Sequence, residues 1–436
     1  MSASPRIPEL LAPAGSLAML DTALAFGATA IYAGQPRYSL RVRNNDFGSL
    51  DVLRTGIERV HAAGGQFYLV SNIYPHGAKL KTYLRDMAPV IDLRPDALIM
   101  SDPGLMMMVR EAWPEQPIHL SVQANTVNAA AVRFWARNGV SRVILSRELS
   151  LDEIAEIRQA CPDTELEVFV HGALCIAYSG RCLLSGYFNH RDPNQGTCTN
   201  SCRWDFKLHE GRTEPGGDVF LIEERERRQG SYNVIEEDEH GTYILNSRDL
   251  RAIEHVQRLV AIGVDSLKIE GRTKSPYYVA RAAQAYRAAI DAAVAGRPLD
   301  AALLDSLDGL ANRGYTAGFF DRHQDAAVHQ NYASGSSGSQ RSLYVGDVVA
   351  FDAARGLAEV VVKNRFACGD RLELVQPGGN RVFGLARMEQ ADGAAAQVAP
   401  GSGHRVWLPL PADSVGAFVT RFVPPAPAPA TAPGST

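Results

Sequence analysis

Eight short apolar runs punctuate the first two-thirds of the chain: ELLAPAG from Glu9, AIYAG from Ala30, QFYLVSN from Gln66, ALIMSDPG from Ala97, HLSVQAN from His119, RVILS from Arg142, EVFVHG from Glu167 and SLKIEGR from Ser266. Between them lie stretches with apolar residues at helical spacing, such as LAMLDTALAFG and AAAVRFWARNG, each ending at a glycine of the kind that caps a helix C-terminus. Runs apolar on both faces, alternating with helices, predict a parallel sheet covered on both sides. Eight such units in about 290 residues predict an α/β fold of the (β/α)8, TIM-like barrel type. A doubly wound open sheet is the alternative, but no G-x-G-x-x-G follows the first run.

A ninth run, TYILNSRDL from Thr242, is followed by a further helical pattern. It reads as the end of an insertion between the seventh and eighth strands, spanning roughly 173–245. Within that insertion LIEERERRQGSYNVIEEDEHG is heavily charged and reads as a solvent-exposed hairpin or mobile loop. The barrel domain thus occupies 1–330, and NYASGSSGSQ at 331–340 has the composition of a flexible linker. Over 341–424 the pattern changes to alternating strands with Gly-Asp, Gly-Gly and Asp-Gly turns, which predicts a small all-β barrel. The Pro/Ala-rich 425–436 reads as a disordered tail.

The chemistry is concentrated in the insertion. Of the 6 cysteines in the chain, Cys175, Cys182, Cys198 and Cys202 fall in one polar, glycine-rich stretch with the spacing C-x6-C-x15-C-x3-C. Thiolates that must converge on one metal centre bunch in this way. Zinc sites usually carry C-x2-4-C knuckles, and the first pair here is six residues apart. An all-thiolate set suits an iron–sulfur cluster. Zinc, two disulfides and four unconnected thiols are the alternatives. Disulfides are disfavoured because the N-terminus lacks the basic and apolar regions of an export signal. The segment leaves the seventh strand at its C-terminal end, the face on which (β/α)8 barrels carry their working residues.

The stretch EVFVHGALCIAYSGRCLLSGYFNHRDPNQGTCTNSC at 167–202 resembles the signature of the U32 peptidase family. So do ELLAPAGSLAML, SLRVRNNDF, SLKIEGRTKSPYYVARAAQAYR and, in the tail domain, VGDVVAF and APGSGHRVWLPLP. The resemblance covers about the whole chain and lies closest to the tRNA-hydroxylating branch of the family. It implies an iron–sulfur enzyme rather than a protease: a 4Fe-4S cluster on Cys175, Cys182, Cys198 and Cys202, 5-hydroxyuridine formed at the wobble position of the tRNA anticodon without molecular oxygen, and prephenate as hydroxyl donor. A hydroxylase of ribosomal RNA or of a quinone precursor on the same scaffold is one alternative, and a U32-type peptidase another. H-E-x-x-H, G-x-S-x-G and a Walker A loop are all missing.

Composition changes this picture little. A hydrophobic share of 46% and a net charge of −4 are ordinary for an enzyme of 436 residues, and RNA binding needs a local basic patch rather than a basic total. No apolar run is long enough to span a membrane, so a cytoplasmic location is expected, with no stable protein partner evident. Other polar residues at strand ends complete the candidate set. His171 and Glu270 are candidates for proton transfer. Arg41, Arg43, Asn72, His76, Gln123 and Arg272 are candidates for substrate binding, the arginines because their forked guanidinium matches carboxylates and phosphates. Glu9 is a candidate for an internal pair with an arginine.

Overall fold

The structure, a computed structural model, describes residues 6–35, 37–40, 45–174, 206–214, 217–224, 232–237, 248–271, 273–312, 314–321 and 342–423. The chain forms two compact units: residues 1–300 with 312–337, and residues 301–311 with 338–436.

The first unit is the expected barrel. Its strands are β1 (Glu9–Pro13), β2 (Ala30–Gly34), β3 (Gln66–Ser71), β4 (Ala97–Met100), β5 (Ile118–Leu120), β6 (Arg142–Ile144) and β7 (Glu165–Ala173). In the insertion, β8 (Phe206–Glu214), β9 (Gly217–Glu224) and β10 (Tyr232–Glu237) form an antiparallel sheet of their own. The charged stretch therefore includes the hairpin its pattern suggested, β9 pairing with β10 from Glu223↔Tyr232 to Asp218↔Glu237. Two more strands follow, β11 (Asp249–Arg251) and β12 (Ser266–Ile269). Neighbours β1 to β7 pair in parallel in chain order. The ring closes through β12, which pairs in parallel with β7 (Ser266↔Glu167) and with β1 (Glu9↔Ser266). All eight barrel strands correspond to the eight apolar runs. The end of the ninth run lies in β11, which is antiparallel on the end of β7 (Asp249↔Ala173), outside the ring, and pairs in parallel with the short β13 (Tyr315–Thr316).

Helices α1 (Leu17–Ala25), α2 (Leu50–Ala62), α3 (Gly77–Leu80), α4 (Tyr83–Ile91), α5 (Pro103–Ala112), α6 (Ala129–Arg137), α7 (Leu151–Ala160), α8 (Val256–Ile262) and α9 (Pro276–Val294) connect these strands. Six of them begin on a side chain that accepts a hydrogen bond from the first-turn backbone: Ser16, Ser49, Asp102, Asn128, Ser150 and Ser275. Ser150 and Glu153 form a reciprocal capping box. Such caps fix where each strand-to-helix loop ends, and so frame the C-terminal mouth of the barrel.

The barrel interior departs from the usual layers of aliphatic side chains. Arg142 on β6 donates to Glu9 of β1 (2.7 Å), Glu165 (2.9 Å) and Glu167 of β7 (3.3 Å). Lys268 of β12 donates to the other oxygen of Glu167 at 2.7 Å. Glu9 also accepts from Ser266 at 2.9 Å and from the Tyr68 hydroxyl at 2.5 Å. Glu9 is therefore the internal pair its sequence position suggested. Burial, with Glu9 alongside, pushes the Tyr68 phenol far above its ordinary pKa. Burial opposes the charge on Arg142, yet the carboxylates of Glu9 and Glu167 outweigh it and raise its pKa.

The second unit contains one antiparallel sheet of eight strands, built from residues 342–422. Its members include β14 (Ser342–Asp352), β15 (Leu357–Val362), β17 (Arg371–Val375), β18 (Arg381–Gly384), β22 (Arg405–Leu408) and β23 (Phe418–Phe422); a separate two-stranded ladder joins β16 (Phe366–Ala367) to β21 (Val398–Ala399). The order runs β18-β17-β23-β14-β15-β22 and on to the short β19 (Met388–Glu389) and β20 (Ala395–Ala396), with no pairing between its ends among the described residues. It is a half-barrel around Val345, Val360, Phe366, Leu374, Val406 and Val419. Residues 301–311 belong to this unit, where Ser342 donates to the Gly309 carbonyl at 3.3 Å. The proposed linker at 331–340 and tail at 425–436 lie outside the described residues.

Removing one partner from a buried ion network strands the others without compensation. Arg142→Ala is expected to lower stability by about 3–5 kcal/mol, read as a fall in the urea midpoint at unchanged slope.

Candidate active site

Each barrel strand delivers its last residue to the C-terminal mouth, and the loops there are braced by side-chain hydrogen bonds. Asn72, just past β3, accepts from the Leu40 amide at 3.2 Å and donates to Ser121 beyond β5 at 3.2 Å. Its carbonyl accepts from Ser101 beyond β4 at 3.2 Å. Asn72 thereby ties three strand ends to the segment that runs into Arg41 and Arg43. Gln123 lies in a single 3-10 turn, Val122–Ala124. Its carbonyl accepts from the Tyr74 hydroxyl at 2.8 Å, and its half-buried side chain lies on the mouth side of β5. Asn125 ends that turn in the left-handed region (φ 50°) and accepts from Ser146 at 2.8 Å. His76 is exposed ahead of α3.

On the opposite side of the mouth, β6, β7 and β12 lie next to one another. Arg147, three residues past β6, reaches across β7. Its guanidinium carbon stands 3.9 Å from the centre of the Phe169 ring, and it pairs with Glu270 beyond β12 at 3.7 Å. A guanidinium held over an aromatic face, with a carboxylate at one edge, is oriented for recognising a carboxylate or phosphate. Glu270 was expected at the mouth from sequence. Arg147 was not, although it directly follows the sixth apolar run.

His171 has a different setting. A register shift between β7 and β12, where Lys268 pairs with Phe169 but Ile269 pairs with His171, breaks the alternation of the strand. The imidazole is buried, and its ring centre lies 5.7 Å from that of Tyr278, 5.4 Å from Tyr286 and 5.6 Å from Tyr315. Burial, then Lys274 and Arg251 nearby, hold its pKa down at about 3, so the ring is neutral near pH 7. Tyr278 and Tyr286 come from α9 and anchor β7 and β12 through Tyr278 to the Glu270 carbonyl (3.0 Å) and Tyr286 to the Val170 carbonyl (2.6 Å). Gly172 follows with φ 108°, where a side-chain carbon would stand 2.5 Å from the Glu270 carbonyl. The close approach of the two strand ends requires glycine there.

Directly after this anchor comes the cysteine segment. Leu174 is buried, and β11 returns the chain antiparallel to β7. Both ends of the insertion therefore meet at the C-terminal mouth. Cys175, Cys182, Cys198, Cys202, Arg41, Arg43 and Arg272 themselves lie outside the described residues. The two cysteines set apart in the sequence are both free thiols, Cys161 at the end of α7 and Cys368 in the second unit. A cavity of about 590 Å³ opens at the other mouth, lined by Tyr68, His119, Arg142 and Glu165 among others. That is the face on which barrels of this class carry stability rather than chemistry.

The match to known proteins is extensive. Residues 15–330 fit the model of peptidase family U32, and residues 340–419 fit the model of the peptidase family U32 C-terminal domain. The protein belongs to the U32 family, as a barrel enzyme scaffold with the family's C-terminal domain. It is 57% identical to the tRNA hydroxylation protein P of Escherichia coli over 431 residues, which is 93% of this chain and 94% of that one. It is 54% identical to the Haemophilus influenzae protein of the same name, over 93% and 94% of the two chains. It is also 29% identical to a collagenase of Porphyromonas gingivalis, over 85% and 86%.

The environment of His171 gives the fold a pH dependence. The folded pKa lies below that of the unfolded chain, so the unfolded state takes up the proton first. The stabilisation is complete above about pH 6.5 and is lost as pH falls toward about 3. Urea unfolding of wild type and His171→Phe between pH 7 and pH 4 checks this, with the variant expected to show the shallower decline.

Proposed function

We propose that this protein hydroxylates tRNA, forming 5-hydroxyuridine at the wobble position of the anticodon. The observation that carries the reading is the end-to-end identity, at 57% through both units, with the tRNA hydroxylation protein P of Escherichia coli. The barrel supports it by offering a polar C-terminal mouth, braced by Asn72 and lined by Arg147 and Glu270, where an anionic substrate would meet a guanidinium. The proposed setting is the cytoplasm, where tRNA is found. No helix among the described residues is long and apolar enough to cross a membrane.

The cofactor in this reading is a 4Fe-4S cluster held by Cys175, Cys182, Cys198 and Cys202. The donor set fits such a cluster: four cysteine thiolates bunched in one segment that leaves β7 at its C-terminal end. When bound, the cluster would supply electron transfer or, with an open iron, Lewis-acid chemistry. The protein's own groups would do the positioning. Asn72 accepts from the Leu40 amide, next in sequence to Arg41, His76 and Gln123 follow the third and fifth strands, and Glu270 pairs with Arg147. Prephenate, a dianionic acid, is the proposed hydroxyl donor, and Arg41, Arg43 and Arg272 are its proposed carboxylate partners along with the tRNA backbone. The collagenase relative keeps a peptidase reading in view, for which casein hydrolysis by the purified protein is the direct assay.

Mass spectrometry of total tRNA nucleosides from a strain lacking the protein tests the function. Loss of 5-hydroxyuridine, restored by the wild-type chain, is the expected result. Unchanged nucleosides refute it. A strain unable to make prephenate should show the same loss if the donor is correctly assigned.

Anaerobically purified protein should be brown and hold iron, through thiolate-to-iron charge transfer. Alanine at Cys175, Cys182, Cys198 or Cys202 should remove iron, whereas alanine at Cys161 or Cys368 should leave it in place. A colourless protein with stoichiometric zinc would overturn the cluster.

A further inference from the structure

We infer that one corner of the C-terminal unit is a docking surface for the tRNA phosphate backbone, an inference that rests on the proposed tRNA substrate. Residues 342–423 carry as many acids as cations, so the unit as a whole has no basic excess. Five of its eight cations are paired in place: Arg355 with Glu389, Lys363 with Asp347, Arg381 with Asp413, Arg405 with Glu359 and Arg421 with Asp370. Arg365, Arg371 and Arg387 are different. All three are exposed, and none has an ion-pair partner among the described residues.

The fold brings these three together. Ala367 and Asp370 form a tight turn, in which the Asp370 amide donates to the Ala367 carbonyl at 3.1 Å and the Asp370 carboxylate accepts from the Ala367 amide at 2.7 Å. Arg365 stands just before this turn and Arg371 just after it. The chain bearing Arg387 runs alongside: Gly384 is the register partner of Arg371, Leu385 donates to the Asp370 carbonyl (3.0 Å) and Gly369 donates to the Leu385 carbonyl (2.7 Å). The acids of the corner are turned to other duties. Asp370 is spent on the turn and on Arg421 at 3.8 Å, and Glu373 is buried beside the Thr420 hydroxyl. A local positive field therefore remains on a neutral domain.

Shape and aromatic content favour RNA over a flat anionic surface. Arg371 is stacked over Phe422, 4.7 Å from guanidinium carbon to ring centre, which pre-orients its fork. The corner ends on β18, the open edge of the sheet, where Val382 is 51% exposed and Phe383 is half-buried. Guanidinium groups beside exposed apolar side chains suit a backbone that presents phosphates and sugars alternately.

The test uses full-length, iron-loaded protein and a tRNA transcript, with affinity measured by filter binding from 50 to 200 mM salt. The triple variant R365E/R371E/R387E should bind at least tenfold more weakly at low salt, and its plot of log affinity against log salt should be less steep by about two. Single Gln variants, which leave the fold's apolar contacts alone, should each flatten the slope by about 0.7. Iron content and thermal melting should match wild type. If wild type itself fails to bind tRNA, the substrate reading falls and the docking surface falls with it. If wild type binds and the variants bind equally well with the same salt slope, the docking surface alone is overturned. The same holds if the variants lose affinity only for phosphatidylglycerol vesicles.

Discussion

The barrel is held shut by charge. Arg142, Glu9, Glu167 and Lys268 sit on β6, β1, β7 and β12, which are consecutive around the closing seam of the sheet. Backbone ladders alone would allow the seam to slip, since a parallel pair offers evenly spaced bonds at every register. Ion pairs of fixed reach inside a closed ring do not. A slip by two residues on β12 would carry the buried Lys268 away from Glu167 and leave that carboxylate with Arg142 alone, a cost the ladder does not offset. The position of every residue at the mouth, Glu270 and Arg147 included, is set by this lock at the other end of the same strands.

The interior is thus divided along its axis. Charges that neutralise one another fill the N-terminal half, and the Arg147–Glu270 pair stands at the C-terminal mouth. Tyr68 and His119 sit in the first region, their rings 4.6 Å apart, and burial keeps both uncharged, with Arg142 and Lys268 reinforcing the neutral state of His119. At the mouth, Arg147 lies over Phe169 and meets a carboxylate at a looser 3.7 Å. Both arrangements use an arginine, a glutamate and an aromatic ring. They differ in how completely the guanidinium is surrounded.

The strand order was legible in the sequence because a parallel barrel strand, apolar on both faces, stands out against amphipathic helices. The mouth was legible only in part. Asn72, Gln123 and Glu270 follow apolar runs closely and could be assigned to strand ends by counting. Their hydrogen bonds could not, because Asn72 to Ser121 joins residues 49 apart. Arg147 escaped notice because its role depends on Phe169 and Glu270, which neighbouring strands bring to it. His171 looked like a strand-end polar residue, and the register shift beside Lys268 that packs it among three tyrosines leaves no trace in the residue pattern. The C-terminal unit gave up its strands through its turns, but the inclusion of residues 301–311 depends on packing with residues such as Ser342.

The return of β11 onto β7 makes the cysteine segment a closed excursion. The chain departs after Leu174 and comes back in register with Ala173, so departure and return are separated by one strand spacing, about 4.8 Å. Whatever length lies between them adds nothing to the distance the barrel must span. The ring can therefore close before the segment between them has folded, so the order of that segment is not a condition of the barrel's folding. The same geometry makes the segment separable in evolution: it can lengthen or shorten while the eight strands beneath it keep their places.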